Sequence, residues 1–298
     1  MGKKTGIGWT DYTMNWWWGC LEVTDEECGD CYARDFARSA RGGSWNGTSH
    51  PETGKVNPEI WGPPLSTPRR LFGDKHNAEP YAWNAAAMKA NERMCGFAHS
   101  MSDIFEAHPM LVDPRKLALR TVENTTFIDW KILTKRIQLV SRYVPKHWME
   151  GQWPRNAWIG FSAGSQAFFD ERMPYAIDLP APVIFVSHEP ATGPINIEQL
   201  ARAVDPKRLW VITGGKSGRN WRSQMMDPDW ARYMRDQCRE MDIAFFFKQH
   251  SAYGPGVRPE LDGRLHHEWP TVPGVGGKLG GVRKKAMEEA VLEQGALL

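Results

Sequence analysis

The 298-residue sequence lacks a strong charge excess and a long apolar run. Its formal net charge is only +2, so no global excess of basic residues demands a polyanionic partner, although a local patch would suffice. No window reaches the roughly 18 apolar residues that span a bilayer. The first residues hold no apolar stretch of signal-peptide length. We therefore expect a cytoplasmic protein that contacts no membrane.

Cysteine is scarce, but three of the five cysteines lie close together. Cys20, Cys28 and Cys31 are spaced C-x7-C-x2-C, directly after an apolar run that ends in three tryptophans. Three thiols on one short loop cannot all pair with one another, and an odd, clustered set is typical of a reducing compartment. The spacing favours a soft metal ion or an iron–sulfur cluster.

The cysteine spacing leaves three interpretations open. A four-iron cluster held by three thiolates keeps one iron open for another ligand. A structural zinc site instead needs a fourth protein ligand, which would be His188, His250, Cys95 or Cys238. A group of inert cysteines without a metal is the third interpretation, although buried cysteines rarely lie this close in sequence.

The rest of the chain alternates apolar runs with segments of helical periodicity. Continuous apolar runs are typical of buried parallel strands joined by helices. This alternation predicts an α/β fold, either an open doubly wound sheet or a (β/α) barrel. We predict strands at about 9–19, 95–100, 127–133, 157–161, 182–186, 209–213 and 243–247, and helices at about 31–41, 80–93, 114–124, 136–144, 166–178, 196–204, 228–241 and 283–294.

Two segments interrupt the alternation. Residues 42–80 are rich in Gly, Pro, Ser and Asn, which predicts a long loop or an inserted lid that carries Trp45 and Trp61. The chain again becomes rich in Gly and Pro after Ser251. We predict a barrel over residues 1–250 with a loop inserted at about 42–80. Residues 251–298 then form an extension that ends in a helix and packs on the same domain.

Polar residues follow the carboxyl ends of the predicted strands, where the sites of parallel α/β folds assemble. Glycines there allow a ligand to approach the backbone, and the next amides can bind a carboxylate or phosphate. The plainer interpretations are a tight turn for the glycines, and a helix cap or an internal ion pair for the acids. This predicted ring comprises Asp103, Lys135, Ser162, Glu189, Gly214, Gly215, Lys216 and Gln249.

Two basic stretches suggest contact with a polyanion, although a solvated charged face explains each single residue as well. The second stretch interleaves cations with an aromatic residue, which suits a phosphate backbone and a stacked base. The stretches comprise Lys131, Lys135, Arg136 and Arg142, and then Lys216, Arg219, Trp221 and Arg222.

In its cysteine loop and in the polar residues that follow its predicted strands, the chain resembles a family of phage and bacterial three-cysteine proteins of formerly unknown function. That family is related to the radical S-adenosylmethionine (SAM) enzymes. The resemblance runs in order from residue 8 to about residue 250, so it covers most of the chain. It is specific as a combination rather than in any single motif. The matching motifs are Gly8–Asp11, Gly19–Ala33, Met101–Phe105, Leu133–Arg136, Trp158–Ser162, Phe185–Pro190, Gly214–Gly218 and Phe246–Gln249.

The resemblance implies a modified or partial (β/α) barrel with parallel strands and a [4Fe-4S] cluster on Cys20, Cys28 and Cys31. SAM would bind the open iron. An electron from an external donor would cleave SAM to a 5′-deoxyadenosyl radical, which abstracts a hydrogen atom from the substrate. By position, the predicted SAM-binding residues are Ser102, Asp103, Lys135, Ser162, Glu189, Gly214, Gly215 and Gln249.

The chain departs from the resembling pattern at two places. Its cysteine spacing is longer than the C-x3-C-x2-C of most radical SAM enzymes, although it is similar to that of the three-cysteine family. Lys216 stands where that family commonly has Glu, which suggests contact with an anionic substrate such as a DNA phosphate. We predict Lys216 and Glu189 as catalytic residues.

The resemblance also implies DNA as the substrate. Some resembling phage proteins are proposed to isomerise a glycine, joined through nitrogen to the methyl carbon of thymine, into its carbon-linked form. A phage-encoded enzyme of this kind would act in the host cytoplasm, on a base that is flipped or single-stranded. The alternatives are a DNA lesion lyase of the spore photoproduct lyase type and a non-enzymatic, zinc-stabilised nucleic-acid-binding protein.

Overall fold

A computed structural model describes residues 5–254 and 256–295, which contain an α/β fold built on parallel strands. The strands are β1 (Tyr12–Met14), β2 (Trp17–Trp18), β3 (Arg70–Leu71), β4 (Glu92–Ala98), β5 (Ile128–Thr134), β6 (Ala157–Ser162), β7 (Ile184–His188), β8 (Leu209–Gly214), β9 (Ala244–Gln249), β10 (Glu260–Leu261), β11 (Arg264–Leu265) and β12 (Lys278–Leu279). The helices are α1 (Asp25–Cys28), α2 (Tyr32–Arg38), α3 (Asp74–Asn77), α4 (Glu79–Ala90), α5 (Val112–Asn124), α6 (Val140–Tyr143), α7 (Gln166–Ile177), α8 (Glu198–Ala203), α9 (Pro228–Glu240) and α10 (Gly281–Gly295).

The main sheet follows the order of the chain. Its strands lie in the order β1-β4-β5-β6-β7-β8-β9, and β12 also pairs with β4. Every one of these pairings is parallel. A doubly wound sheet reverses its strand order at a switch point, whereas this order continues without reversal. Within the described residues β1 and β9 do not pair, so the sheet is a curled, partial (β/α) barrel, as the resemblance implied.

The two faces of this sheet carry different cores, because successive residues of a strand point to opposite sides. One face packs against the helices, where Trp130 of β5 shares a core with Val122 of α5 and Met173 of α7. The opposite face, which we call the inner face, carries a second and largely aromatic cluster. That cluster comprises Trp9, Phe97, Trp158, Val183, Phe185, Trp210, Ile212 and Phe246.

Most predicted elements are confirmed, with shifts at their ends. The helix predicted from residue 114 begins at Val112, and Leu111 occupies its N-cap position. The reason is a short 3-10 helix at Pro109–Leu111 that leads directly into it. The single strand predicted over 9–19 is divided, because β1 pairs with β4 while β2 pairs with β3 in a separate antiparallel ribbon.

The segment predicted as a long loop over 42–80 packs beside the cysteines. It ends earlier than predicted, since β3 is followed by α3 and α4 from Asp74 onward. Trp61 is only 6% exposed and shares a small core with Ile60 and Met101, against which Cys20 and Cys31 lie. This segment therefore shields one side of the cysteines from solvent.

The segment after β9 covers the amino end of the inner face. Trp269 packs on Trp210 with ring centroids 4.7 Å apart. Arg283 of α10 and Arg93 of β4 both bind the carboxylate of Asp129, which is 2% exposed. The division of the chain into a barrel and an extension of the same domain stays a prediction. In the described residues, no helix combines the length and the apolarity that crossing a membrane requires.

We expect Asp129→Asn to destabilise the fold by about 3–5 kcal/mol, because it removes a carboxylate that two buried guanidinium groups share. Urea unfolding followed by circular dichroism measures this change. The matched control is Asp242→Asn, which breaks the exposed pair between Asp242 and Lys207 and should cost at most about 1 kcal/mol. Equal losses in the two variants would contradict a structural role for the buried triad.

Candidate cofactor and substrate site

The cysteine loop, Cys20–Cys31, connects β2 to α2 beside the carboxyl edge of the sheet. Cys20 follows β2, Cys28 is the last residue of α1, and Cys31 occupies the N-cap position of α2. Thr24 caps α1 through its side chain, which accepts a hydrogen bond from Glu27 N. All three thiols are free and partly exposed. The loop therefore presents three sulfur ligands next to the edge where parallel α/β folds place their sites.

Ion pairs hold this loop against the barrel. Arg172 of α7 is 1% exposed, and its Nη1 donates to Glu27 Oε1 and to the Ser162 carbonyl over 2.7 Å each. Lys216, which follows β8, pairs with Asp30. At the start of the loop, Leu21 N donates to Glu106 Oε1 over 3.0 Å. The loop is thus fixed at both ends and in the middle by charged groups of other elements.

Two cations lie beside the thiols. Arg136 Nη1 lies 3.7 Å from Cys20 Sγ and 2.9 Å from Asp103 Oδ2. Burial raises the pKa of the Cys20 thiol to about 12, and Arg136 opposes that rise. Burial likewise raises the pKa of the Cys31 thiol, against the field of Lys135. Metal binding must therefore displace protons from these thiols, and the two cations favour the thiolates that result.

The three thiols are donors of the type that an iron–sulfur cluster uses. Across residues 5–254 and 256–295, no three His, Cys, Asp or Glu side chains converge as ligands of one metal ion. In a four-iron cluster each thiolate binds a different iron, so the three sulfurs need not converge on a point. The three free thiols of one loop, with cations beside two of them, meet that requirement.

The predicted fourth ligands for zinc have other partners. His188 Nε2 donates to the Gly193 carbonyl over 2.9 Å, and His250 Nε2 donates to the Glu260 carbonyl over 3.0 Å. Cys95 and Cys238 are each 0% exposed; Cys95 lies within β4 and Cys238 lies in the helix-side core. Nothing in these positions directs a fourth ligand toward the cysteine loop.

Three of the predicted site residues meet at the carboxyl edge of the inner face. Lys135 Nζ donates to Ser162 Oγ over 3.4 Å, and Glu189 pairs with Lys248 of β9. Lys135 and Glu189 line one small cleft. The other residues of its wall are Glu26, Glu27, Gly164, Phe168, Pro190 and Thr192.

Tyr32 borders the same region from the cysteine side. Its hydroxyl donates to the Ser100 carbonyl over 2.6 Å. The residue is 54% exposed, yet burial raises the pKa of its phenol, with Cys31 and Glu189 adding to the rise. Tyr32 therefore lies close enough to both Cys31 and Glu189 for their charges to act on its phenol.

Asp103 and Ser102 bind other parts of the chain. The Asp103 carboxylate accepts from Thr134 Oγ1 over 2.8 Å, from Phe105 N over 2.9 Å and from Lys135 N over 3.1 Å, besides its pair with Arg136. Burial alone would raise the pKa of the Asp103 carboxyl, but Arg136 and these hydrogen bonds hold it below its ordinary value. Ser102 Oγ donates to the Trp17 carbonyl over 3.1 Å. Contact of either residue with SAM stays a prediction.

The Gly-Gly turn after β8 is shaped mainly by packing within the chain. A Cβ on Gly215 would lie 2.4 Å from Ser251 N, so only glycine fits there. Gln249 Nε2 donates to the Gly215 carbonyl over 3.1 Å, and its Oε1 accepts from Gly256 N over 2.5 Å. Of the residues in this turn, Gly214 borders Glu189, since a Cβ on Gly214 would lie 3.6 Å from Glu189 Cδ.

Lys216 faces the cysteine loop. Its ammonium pairs with Asp30 and donates to Ser223 Oγ over 3.2 Å, and the residue is only 8% exposed. A cation in this position links the β8 turn to the segment between Cys28 and Cys31. The predicted catalytic role of Lys216 therefore stays a prediction, while its contacts support a role in positioning the loop.

Sequence reasoning missed Lys248 and Arg172 as parts of this site, and it named Arg136 only as a member of a basic stretch. Strand alternation was a usable signal for Lys248. Phe246 lies on the inner face, so Lys248, two residues later, shares that face, whereas Gln249 does not. No comparable signal marks Arg172, because its partner Glu27 is 145 residues away in the sequence.

The fold and the site together define a parallel α/β protein with three free thiols beside the carboxyl edge of a partial barrel. The chain matches the model of a family described as "Protein of unknown function (DUF5131)" over residues 4–288. It therefore belongs to that family, which confirms the predicted membership of a family of unknown function. No curated protein matches the chain.

Among solved structures, the chain is similar to several of spore photoproduct lyase. One, a variant with dinucleoside spore photoproduct, has 14% identity and a TM-score of 0.48, over 80% of this chain and 63% of that chain. Another, with bound AdoMet and dinucleoside spore photoproduct, has 13% identity and a TM-score of 0.47 over the same shares. In both of these matches the chain thus spans 63% of the length of the spore photoproduct lyase chain. What this chain binds is therefore inferred from its own residues.

We expect the stability of the protein to fall between pH 6.5 and about pH 4 through His188. Burial lowers the pKa of His188 to about 4, whereas an unfolded histidine titrates near 6.5. The fold holds the neutral ring, so this contribution is complete above about pH 6.5 and is lost as the unfolded chain takes up the proton. Chemical unfolding at intervals of pH should show a shallower slope for His188→Gln, and an unchanged slope would contradict the assignment.

We expect Lys216→Ala to loosen the cysteine loop. The substitution leaves Asp30 without its ammonium partner, so local opening becomes more frequent. A Glu-specific protease should then cleave after Glu26 or Glu27 about 5-fold faster. Mass spectrometry of the fragments over time measures this rate. Lys207→Ala breaks an exposed pair elsewhere and serves as the control. Cleavage at the wild-type rate would show that Lys216 does not hold the loop.

Proposed function

We propose that this chain is a radical SAM enzyme that modifies a nucleic-acid base. The observation that carries the proposal is the cysteine loop itself, which presents three free thiols beside the carboxyl edge of a partial barrel and is fixed there by buried ion pairs. When bound, a four-iron cluster and SAM supply a radical that abstracts hydrogen from an unactivated carbon. The resemblance to the three-cysteine proteins that are related to radical SAM enzymes supports the same class of reaction.

The residues around the loop have the chemistry that such a site needs. Cys20, Cys28 and Cys31 would hold the cluster. Lys135 and Ser162 offer a cation and a hydroxyl to a carboxylate, such as that of the methionine part of SAM. Glu189 offers acceptor oxygens to hydroxyl or amino groups. These residues lie at strand ends or on the cysteine loop, which ion pairs hold in place. Their side chains are therefore positioned before the ligand binds.

Two features of the chain limit the access of water to Cys20 and Cys31. Trp61 and Met101 pack in the small core against which Cys20 and Cys31 lie. Arg136, at 8% exposure, closes the other side of Cys20 while donating to the Leu21 carbonyl. Exclusion of water matters for radical chemistry, because a reactive species must meet the substrate before it meets solvent.

Within this class, we propose isomerisation of a nitrogen-linked glycinylthymidine in DNA to its carbon-linked form. The resemblance to phage three-cysteine proteins supports this choice. The reaction needs a hydrogen atom removed from a C–H bond, followed by migration, which acid–base groups alone do not provide. The test is nucleoside mass spectrometry and chromatography of glycine-modified DNA after incubation with reconstituted protein, SAM and reductant. Unchanged DNA would remove this substrate from the proposal.

The reaction class is tested by anaerobic reconstitution with iron and sulfide. We expect a brown protein that absorbs near ~400 nm because thiolates ligate iron, and that forms 5′-deoxyadenosine from SAM and dithionite. Cys28→Ala should lose both properties.

The matched control is Cys238→Ala, which removes a thiol from the helix-side core and not from the cysteine loop. It should retain the colour and the cleavage of SAM. A colourless wild-type protein that holds one zinc ion would overturn the proposal in favour of a zinc-stabilised binding protein.

A further inference from the structure

The structure sorts the two basic stretches of the sequence into buried and exposed groups. Lys131 is 0% exposed and Arg136 is 8% exposed, so both are buried and cannot reach a partner at the surface. Lys216 is paired with Asp30. Arg219 and Arg222 are exposed, and neither is ion-paired in the part of the chain that the structure describes. The cations available to a partner in the second stretch are therefore these two.

Arg219 and Arg222 belong to a surface built from two loops. Gly218 N donates to the carbonyls of Ala252 and Tyr253 over 3.2 and 3.0 Å, which joins the loop after β8 to the loop after β9. Arg222 stacks on Trp221 with its guanidinium carbon 4.3 Å from the ring centroid. Tyr253 is 73% exposed. We call Arg219, Trp221, Arg222 and Tyr253 the edge platform.

The edge platform lies next to the cysteine loop. Asn220 Nδ2 donates to Asp30 Oδ1 over 3.2 Å, and Lys216 binds the other oxygen of the same carboxylate. Asp30 stands between Cys28 and Cys31, so one side chain separates the platform from the thiols. Arg219 and Arg222 form no ion pair in the described part of the chain, so the platform places two exposed cations beside the cysteine loop.

We propose that the edge platform binds a single-stranded segment of nucleic acid and presents one of its bases to the site; this rests on the proposed function. Arg219 and Arg222 suit two phosphates, because exposed guanidinium groups bind phosphate oxygens with charge and fork geometry. Tyr253 offers an exposed ring on which a base stacks, and the Arg222 guanidinium, held flat on Trp221, offers a second plane. A base inside a duplex has no free face for either plane.

The test uses the reconstituted protein and fluorescence anisotropy with three labelled probes: single-stranded oligothymidylate, an abasic strand of equal length, and a duplex. The wild type should bind oligothymidylate more tightly than the other two. Arg219→Ala/Arg222→Ala should weaken the binding of both single strands. It should also reduce the magnitude of the slope of log affinity against log salt concentration by about 1.4, since each phosphate contact adds roughly 0.7. Tyr253→Ala should weaken the binding of oligothymidylate by about 5- to 150-fold and leave the binding of the abasic strand unchanged.

The matched control is Lys89→Ala/Arg120→Ala, which removes two exposed cations from α4 and α5 without touching the platform. It should leave the affinity and the salt slope unchanged. Equal binding of abasic and thymidylate strands, or a preference for duplex, overturns the stacking role. An acidic peptide that competes as well as oligothymidylate overturns nucleic acid as the partner. Cleavage of SAM by the wild type, measured separately, distinguishes failure of this inference from failure of the proposed function.

Discussion

The contact between Arg172 and Glu27 is the constraint on which the rest of the site depends. Both side chains are largely shielded from water, at 1% and 8% exposure. Removing either partner would leave a buried charge without compensation, so the pair strongly disfavours any other position of the loop. The same guanidinium donates to the carbonyl of Ser162, a predicted ligand-binding residue. One buried cation therefore sets the distance between the thiols and the inner face of the sheet.

The fold was largely predictable from the sequence, because its signals are local. Continuous apolar runs marked β5 to β9 within a few residues, and helical periodicity marked α7 and α9 almost to their ends. The sequence left the choice between a doubly wound sheet and a barrel open, since both alternate strand and helix. That choice depends on which strands pair, and pairing is a property of residues far apart in the chain. The division of the first apolar run into β1 and β2 was missed for the same reason.

The site was predictable only in part, and the alternation of strand residues explains the difference. Lys135, Ser162 and Glu189 meet at one edge because each continues the inner-face parity of its strand. Gln249 breaks that parity and binds backbone instead, while its neighbour Lys248 reaches Glu189. The ion pairs of the cysteine loop had no local signal, because Asp30 and Lys216 are 186 residues apart in the sequence.

The path of the C-terminal segment has a consequence for how the protein folds. Val282 N donates to Asp11 Oδ1 over 2.9 Å across 271 residues of sequence, and Arg283 binds Asp129 of β5. Contacts between such distant residues are slow to form, because the entropy of closing the intervening chain must be lost first. During synthesis, the strands from β1 to β9 would leave the ribosome before these partners exist. The amino end of the inner face, with its charged groups, then stays open to water until the last helix is made.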